Sequence, residues 1–130
     1  MIRLLALDMD GTCLNGRSRM TEETIRTIRK AADAGIVIVP TSGRPLTCLP
    51  YQMTQEKGLY RYTITSNGAQ VVDLEEKKTL FRMLMKRERV VQFLRECEEL
   101  NVVRMTHIQH RYVMEGPLME VAGRIVYGRD

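Results

Sequence analysis

The sequence predicts an α/β fold, a parallel sheet under helices with a second and smaller α/β unit behind it. Three observations predict it. Residues 2–8 (IRLLALD) and 36–39 (IVIV) are short apolar runs of the kind that strands buried on both faces carry. A helical pattern lies between them, which gives strand, helix, strand. After Gly68 the pattern changes to paired strands around a polar turn.

Taken in order, residues 2–8 form the first strand, stopped by polar residues and glycine. Residues 11–20 (GTCLNGRSRM) are a turn-rich connection with Asn15-Gly16 as a tight hairpin turn. Thr21 is a helix N-cap, with Glu22 and Glu23 in the first turn, where the macrodipole favours acids. Ile25, Ile28, Ala31 and Ala32 recur at helical spacing, and Gly35 closes the helix. Residues 36–39 follow as the second strand. Pro45 opens a second helix over 45–56, and residues 62–66 (YTITS) form the third strand, ending at Asn67-Gly68.

Two strands around the turn LEEKK come next, then an amphipathic helix over 86–100 with Val90, Phe93, Leu94, Cys97 and Leu100 on one face. Residues 102–108 and 111–115 read as strands, Gly116-Pro117 breaks the run, and 121–130 is a further strand. The division between units is expected at residue 78, giving 1–78 and 79–130.

Composition narrows the function. A content of 44% hydrophobic residues in 130 is too high for a disordered chain and suits one domain, or a domain and a fragment of another. No apolar stretch reaches the length of a membrane span. The N-terminal apolar run is too short for a signal peptide, so a cytoplasmic protein without a membrane partner is expected. Cys13, Cys48 and Cys97 are odd in number and widely spaced, which argues against a disulfide framework and a zinc site. The net charge of +4 suits an anionic small substrate. The basic residues are interleaved with acids and few aromatics accompany them, which argues against nucleic acid.

Chemistry gathers where strands end, since ligands of an open parallel sheet bind beyond the carboxyl ends of its strands. Asp8 and Asp10 follow the first strand, Thr41-Ser42-Gly43-Arg44 the second, and Ser66-Asn67-Gly68 the third. Alternation aims Asp8 and Asp10 one way and Met9 the other. One ionised carboxylate of such a pair can attack phosphorus, and the second can exchange protons with the leaving alcohol and with water. Gly11 lets the backbone turn so that amides face phosphate oxygens, and Thr41 or Ser42 offers a hydroxyl. Clustered carboxylates call for a hard divalent cation, and Mg²⁺ fits oxygen ligands.

On these residues the sequence resembles the haloacid dehalogenase (HAD) superfamily of phosphohydrolases. Asp8-x-Asp10-Gly11-Thr12 matches its first motif, and the hydroxyl before Gly43-Arg44 matches its second, favouring Ser42 over Thr41. Ser66-Asn67-Gly68-Ala69 resembles the third-strand signature of the Cof-type branch, whose class IIB α/β caps are inserted after that strand. The resemblance implies a Rossmann-like core carrying part of such a cap. It also implies Asp8 as nucleophile, Asp10 as general acid/base, and Asp8 with the Asp10 backbone carbonyl as Mg²⁺ ligands. Thr12 supports the loop, while Arg44 and Asn67 either touch substrate or fix neighbouring loops. The implied reaction is hydrolysis of a phosphate monoester, a sugar phosphate or similar small phosphorylated metabolite, through an aspartyl-phosphate.

The family also uses a lysine and a late acidic motif, both after the cap. Lys86 sits at a helix start, and Glu115, Glu120 and Asp130 lack the expected Gly-Asp context. The chain is therefore expected to stop inside the cap and to turn over weakly or not at all. Its first strand would present an uncovered apolar edge, which predicts a homo-oligomer. A non-catalytic phosphate binder and a phosphomutase are the rival readings. His107 and His110 are ordinary residues at a strand end and turn, too close together for a metal pair and without a third ligand.

Overall fold

The computed structural model describes residues 1–50, 58–100, 102–108 and 111–116. Two compact units divide the chain, Met1–Met83 and Leu84–Asp130. The division falls beyond residue 78 because the strand after the polar turn pairs back into the first unit's sheet.

That sheet has five strands: β1 (Leu4–Asp8), β2 (Val37–Thr41), β3 (Tyr62–Thr65), β4 (Gln70–Asp73) and β5 (Lys78–Arg82), lying side by side in chain order. The first three are parallel, and β4 and β5 turn back antiparallel. Leu4 pairs with Val37 and Asp8 with Thr41. Helix α1 (Glu22–Asp33) makes the crossover from β1 to β2. Thr21 caps it, its Oγ1 accepting from the Thr24 amide at 3.2 Å. At the other end the Gly35 amide donates to Ala32 and the Ile36 amide to Ala31, a Schellman closure with Gly35 at φ +81°.

The core lies between α1 and the sheet. Met9, Leu14, Met20, Ile28 and Ile38 are buried there, with Ile25, Ala31 and Ala32 packed against them. Of the run expected to be buried over 36–39, Ile38 and Val39 are buried, as is Pro40 after it, whereas Val37 is 44% exposed. Strand β1 is not buried. Leu4 is 56% and Leu5 36% exposed, because β1 is the outer strand among the described residues and has β2 on one side alone.

Strand β2 also runs on through Pro40, where the sequence reading stopped it. Proline has no N–H to donate, and the Pro40 carbonyl is served instead by the Thr63 hydroxyl of β3 at 3.1 Å. Thr63 itself is fully buried. The helix expected over 45–56 begins as a 3-10 turn, Leu46–Cys48, and Leu49 is already extended at φ −67°, ψ 143°. Pro50 follows, and its ring disfavours helical backbone at the residue before it. Residues 51–57 lie outside the described residues.

The β4–β5 turn is organised by Asp73. Its Oδ1 accepts from the Glu75 and Glu76 amides, both at 3.0 Å, and its Oδ2 from Arg61 Nε at 2.9 Å. The Glu76 amide foremost, with Arg61, holds this carboxyl below its ordinary range.

In the second unit, helix α2 (Arg87–Glu99) buries Cys97. Val90 and Leu94 are half-buried, whereas Phe93 is 50% and Leu100 71% exposed. The expected face is thus narrower, since residues 90, 94 and 97 stack in one line and residues 93 and 100 fall to its flank. Strands β6 (Arg104–Ile108) and β7 (Arg111–Glu115) form an antiparallel hairpin. In it the rings of His107 and Tyr112 meet edge to face at 4.6 Å, and burial lowers the His107 pKa. His110 and the strand expected over 121–130 lie outside the described residues.

Candidate active site

The end of β1 is built around Met9. Its side chain is fully buried, while Asp8 and Asp10 on either side of it are exposed, as strand alternation requires. The Met9 carbonyl then accepts from the amides of Thr12 (3.3 Å), Cys13 (3.1 Å) and Leu14 (2.9 Å). Gly11 makes that tight turn possible at φ +78°, a left-handed conformation that side chains disfavour.

Asp8 Oδ2 accepts the Thr12 hydroxyl at 3.0 Å. The bond ties the turn after β1 back to the Asp8 side chain. Cys13 stands close enough to Asp8 to feel its charge. Burial first, and that charge second, push the Cys13 thiol up, which keeps it protonated beside the carboxylate.

The second strand end lies alongside, with Thr41 in register with Asp8. Ser42 is buried, its Oγ accepting the Arg44 amide at 3.1 Å. The third strand end is tied to the second by backbone. The Ser66 amide donates to the Arg44 carbonyl at 3.0 Å, and the Asn67 amide to the Ser42 carbonyl at 3.3 Å. Ser66 (φ 52°) and Asn67 (φ 54°) are both left-handed, a sharp double turn that brings Asn67 over Gly43. A Cβ on Gly43 would stand 2.7 Å from Asn67 Oδ1, so glycine is what fits there.

Arg44 joins the first and second strand ends. Its Nε donates to Asp10 Oδ2 at 3.0 Å and its Nη2 to Asp10 Oδ1 at 2.7 Å, a two-pronged ion pair. The same side chain reaches Ser18 Oγ (3.3 Å) and the Cys48 carbonyl (3.4 Å). The structure therefore brings Asp8, Asp10, Gly11, Thr41, Ser42, Gly43, Arg44 and Asn67 together at one end of the sheet. Ser18 is the residue that the sequence reading missed. It lies within a turn in which Asn15 Oδ1 accepts the Arg17 and Arg19 amides, and nothing in its local sequence marks it.

Among the described residues no group of three His, Cys, Asp or Glu side chains gathers to hold a metal. Asp8 supplies a carboxylate and Asp10 a backbone carbonyl, the Asp10 carboxylate being paired with Arg44. That donor set fits Mg²⁺, which takes one or two carboxylates and fills the rest of its shell with water and substrate oxygens. Lys86 lies in the second unit at the start of α2, and Glu115 pairs with Arg104 at 3.1 Å. Glu120 and Asp130 lie outside the described residues. Among the described residues no helix is long and apolar enough to cross a membrane.

Comparison with known proteins adds to this geometry. The family model for haloacid dehalogenase-like hydrolases matches residues 5–123. The 5-amino-6-(5-phospho-D-ribitylamino)uracil phosphatase of Bacillus subtilis (strain 168) is 38% identical over 84 residues, covering 61% of this chain and 33% of that protein. The HMP-PP phosphatase of Yersinia pestis (strain Pestoides F) is 36% identical over 75 residues, covering 58% of this chain and 27% of that protein.

A solved HAD subclass IIB sugar phosphatase superposes with a TM-score of 0.81 at 24% identity, covering 96% of this chain and 48% of that one. A Streptococcus mutans UA159 structure gives 0.80 at 19%, covering 97% and 47%. These two likenesses establish the fold. The chain spans about a third of the length of the curated relatives it matches and about half of the solved chains.

Proposed function

The chain belongs to the haloacid dehalogenase-like hydrolases, and from that premise we propose that its site serves Mg²⁺-dependent hydrolysis of a phosphate monoester through an aspartyl-phosphate. One observation carries the reading. Two exposed carboxylates, Asp8 and Asp10, stand on the same side of a buried Met9 at the mouth of a strand.

Asp8 attacks phosphorus through a carboxylate oxygen as the bond to the leaving oxygen breaks, and a proton from Asp10 goes to that oxygen. Water then attacks the phosphorus, Asp10 takes back a proton, and Asp8 is released with inorganic phosphate. The amides of Gly11 and Gly43, the hydroxyl of Ser42 or Thr41, and the Asn67 side chain face the phosphate oxygens. The Asp8 carboxylate and the Asp10 backbone carbonyl would hold Mg²⁺, which would offset the negative charge gathered on phosphate and nucleophile.

The phosphatases named among the relatives support a small phosphorylated metabolite as substrate, with a sugar phosphate as the first to try. The three cysteines are free, which suits a reducing cytoplasm. The second unit, by this reading, is part of the cap that chooses the substrate. A chain spanning a third of its relatives is expected to turn over weakly by itself.

The test is phosphate release from a panel of sugar phosphates by the purified 130-residue chain, with Mg²⁺ and with a chelator. Release that needs Mg²⁺ supports the reading. Binding of a phosphosugar without release from a folded chain would make this a phosphate-ligand binder, and transfer to a second sugar would make it a mutase.

The outer edge of β1 leads to a second expectation. Leu4 (56% exposed) begins it and Ile2 (71%) precedes it, and a bare apolar edge invites another strand. We infer that two copies pair there. Light scattering should give at least twice the mass of one chain, and a monomer at micromolar concentration would count against the pairing.

A further inference from the structure

We propose that Arg44 is a positioning residue, one that sets where the Asp10 carboxylate stands and does not bind the substrate's phosphate. The proposal rests on the reading of Asp10 as the acid/base and deepens it. Among the described residues the Arg44 guanidinium donates twice to Asp10, once to Ser18 Oγ and once to the Cys48 carbonyl. Such a group has five N–H donors in a fixed plane. A phosphate that takes two of them must displace at least one of these partners.

The arginine is also the anchored partner of the pair. Its side chain is 12% exposed against 51% for Asp10. Its backbone is fixed as well, the amide on Ser42 Oγ and the carbonyl under the Ser66 amide. A residue held from backbone to tip suits an anchor better than a ligand that must move to grip and release. Asp10, half-exposed on a turning loop, is the group whose direction needs setting. The contact with Ser18 extends the anchor along the connection after β1, so one guanidinium ties that connection to the segment after β2.

The deciding experiment uses the whole 130-residue chain and does not depend on turnover. The Arg44 Nε–H resonance of ¹⁵N-labelled protein is followed for solvent exchange in the wild type and in Asp10→Ala. Exchange about tenfold or more slower in the wild type is the expected result, and equal rates would overturn the proposal. Inorganic phosphate with Mg²⁺ is then titrated into the wild type and Arg44→Lys, which keeps the charge and loses the fork. Affinities within about threefold of each other support positioning, whereas a loss of about tenfold or more makes Arg44 a phosphate ligand and overturns it. Should phosphate bind neither chain, the phosphatase reading of the site has failed, and the exchange comparison alone still decides for or against the Arg44–Asp10 anchor.

Discussion

Asp8→Asn is expected to abolish phosphate release, by on the order of 10³-fold or more relative to whatever rate the wild type shows. An amide oxygen carries no full charge and is a poor nucleophile, so the first step loses its attacking group. The neighbourhood stays intact, because asparagine keeps an oxygen that can accept the Thr12 hydroxyl now 3.0 Å from Asp8 Oδ2. Asp8 is exposed, so the exchange removes no buried contact and thermal stability should hold. The loss would therefore be one of chemistry and not of folding. Beryllofluoride with Mg²⁺, which forms a stable mimic of a phosphorylated aspartate, gives a readout without turnover. A bound ¹⁹F signal is expected in the wild type and none in Asp8→Asn. Release that persists in the variant would remove Asp8 from the mechanism.

Met9→Ala is expected to cost about 2–5 kcal/mol of stability, the range for truncating a buried methionine. The side chain is fully buried, in one cluster with Leu14, Met20, Ile28 and Ile38 from the loop, α1 and β2. A domain has only about 5–15 kcal/mol in all, so a loss at the upper end would leave much of the chain unfolded at room temperature. Met9→Leu keeps the volume and should cost less than about 1.5 kcal/mol. Urea unfolding midpoints of the three proteins check both figures. A small effect of Met9→Ala would mean that neighbouring side chains close the cavity.

Much of the site was legible because strand ends in a parallel sheet announce themselves. An apolar run that stops at polar residues and glycine marks a place where backbone turns and side chains face one mouth, and three such stops lay in order. The caps were legible for the same local reason. Thr21 and Gly35 act on residues a few positions away. What escaped the sequence was what depends on neighbours distant in the chain. Strand β1 has the composition of a buried strand, but composition states what a strand can bury and not whether anything lies beside it. Sequence alone ends the second strand at residue 39, yet it runs on through Pro40, whose carbonyl accepts from Thr63 on the adjacent strand. The Arg44 contacts to Asp10 and Ser18 span 34 and 26 residues, and no spacing rule reaches that far. Leu49 is the opposite case. Pro50 was in view and its effect on the residue before it marks an early end, yet the sequence reading carries the helix through it to residue 56.

The order of the five strands has a consequence for how the chain folds. Spatial order equals chain order from β1 to β5, so no strand must be threaded between two already in place. A chain leaving the ribosome can add each strand to the one made before it, at the growing margin of the sheet. The closing steps are also the most local. Strands β3, β4 and β5 are joined by short turns, whereas β1 must wait for α1 before β2 reaches it. Loop closure over that distance is the slower event. When the whole chain refolds from denaturant, where the order of synthesis plays no part, the hairpins are thus expected to gain protection early and the strand that carries Asp8 to be among the last parts of the sheet to settle.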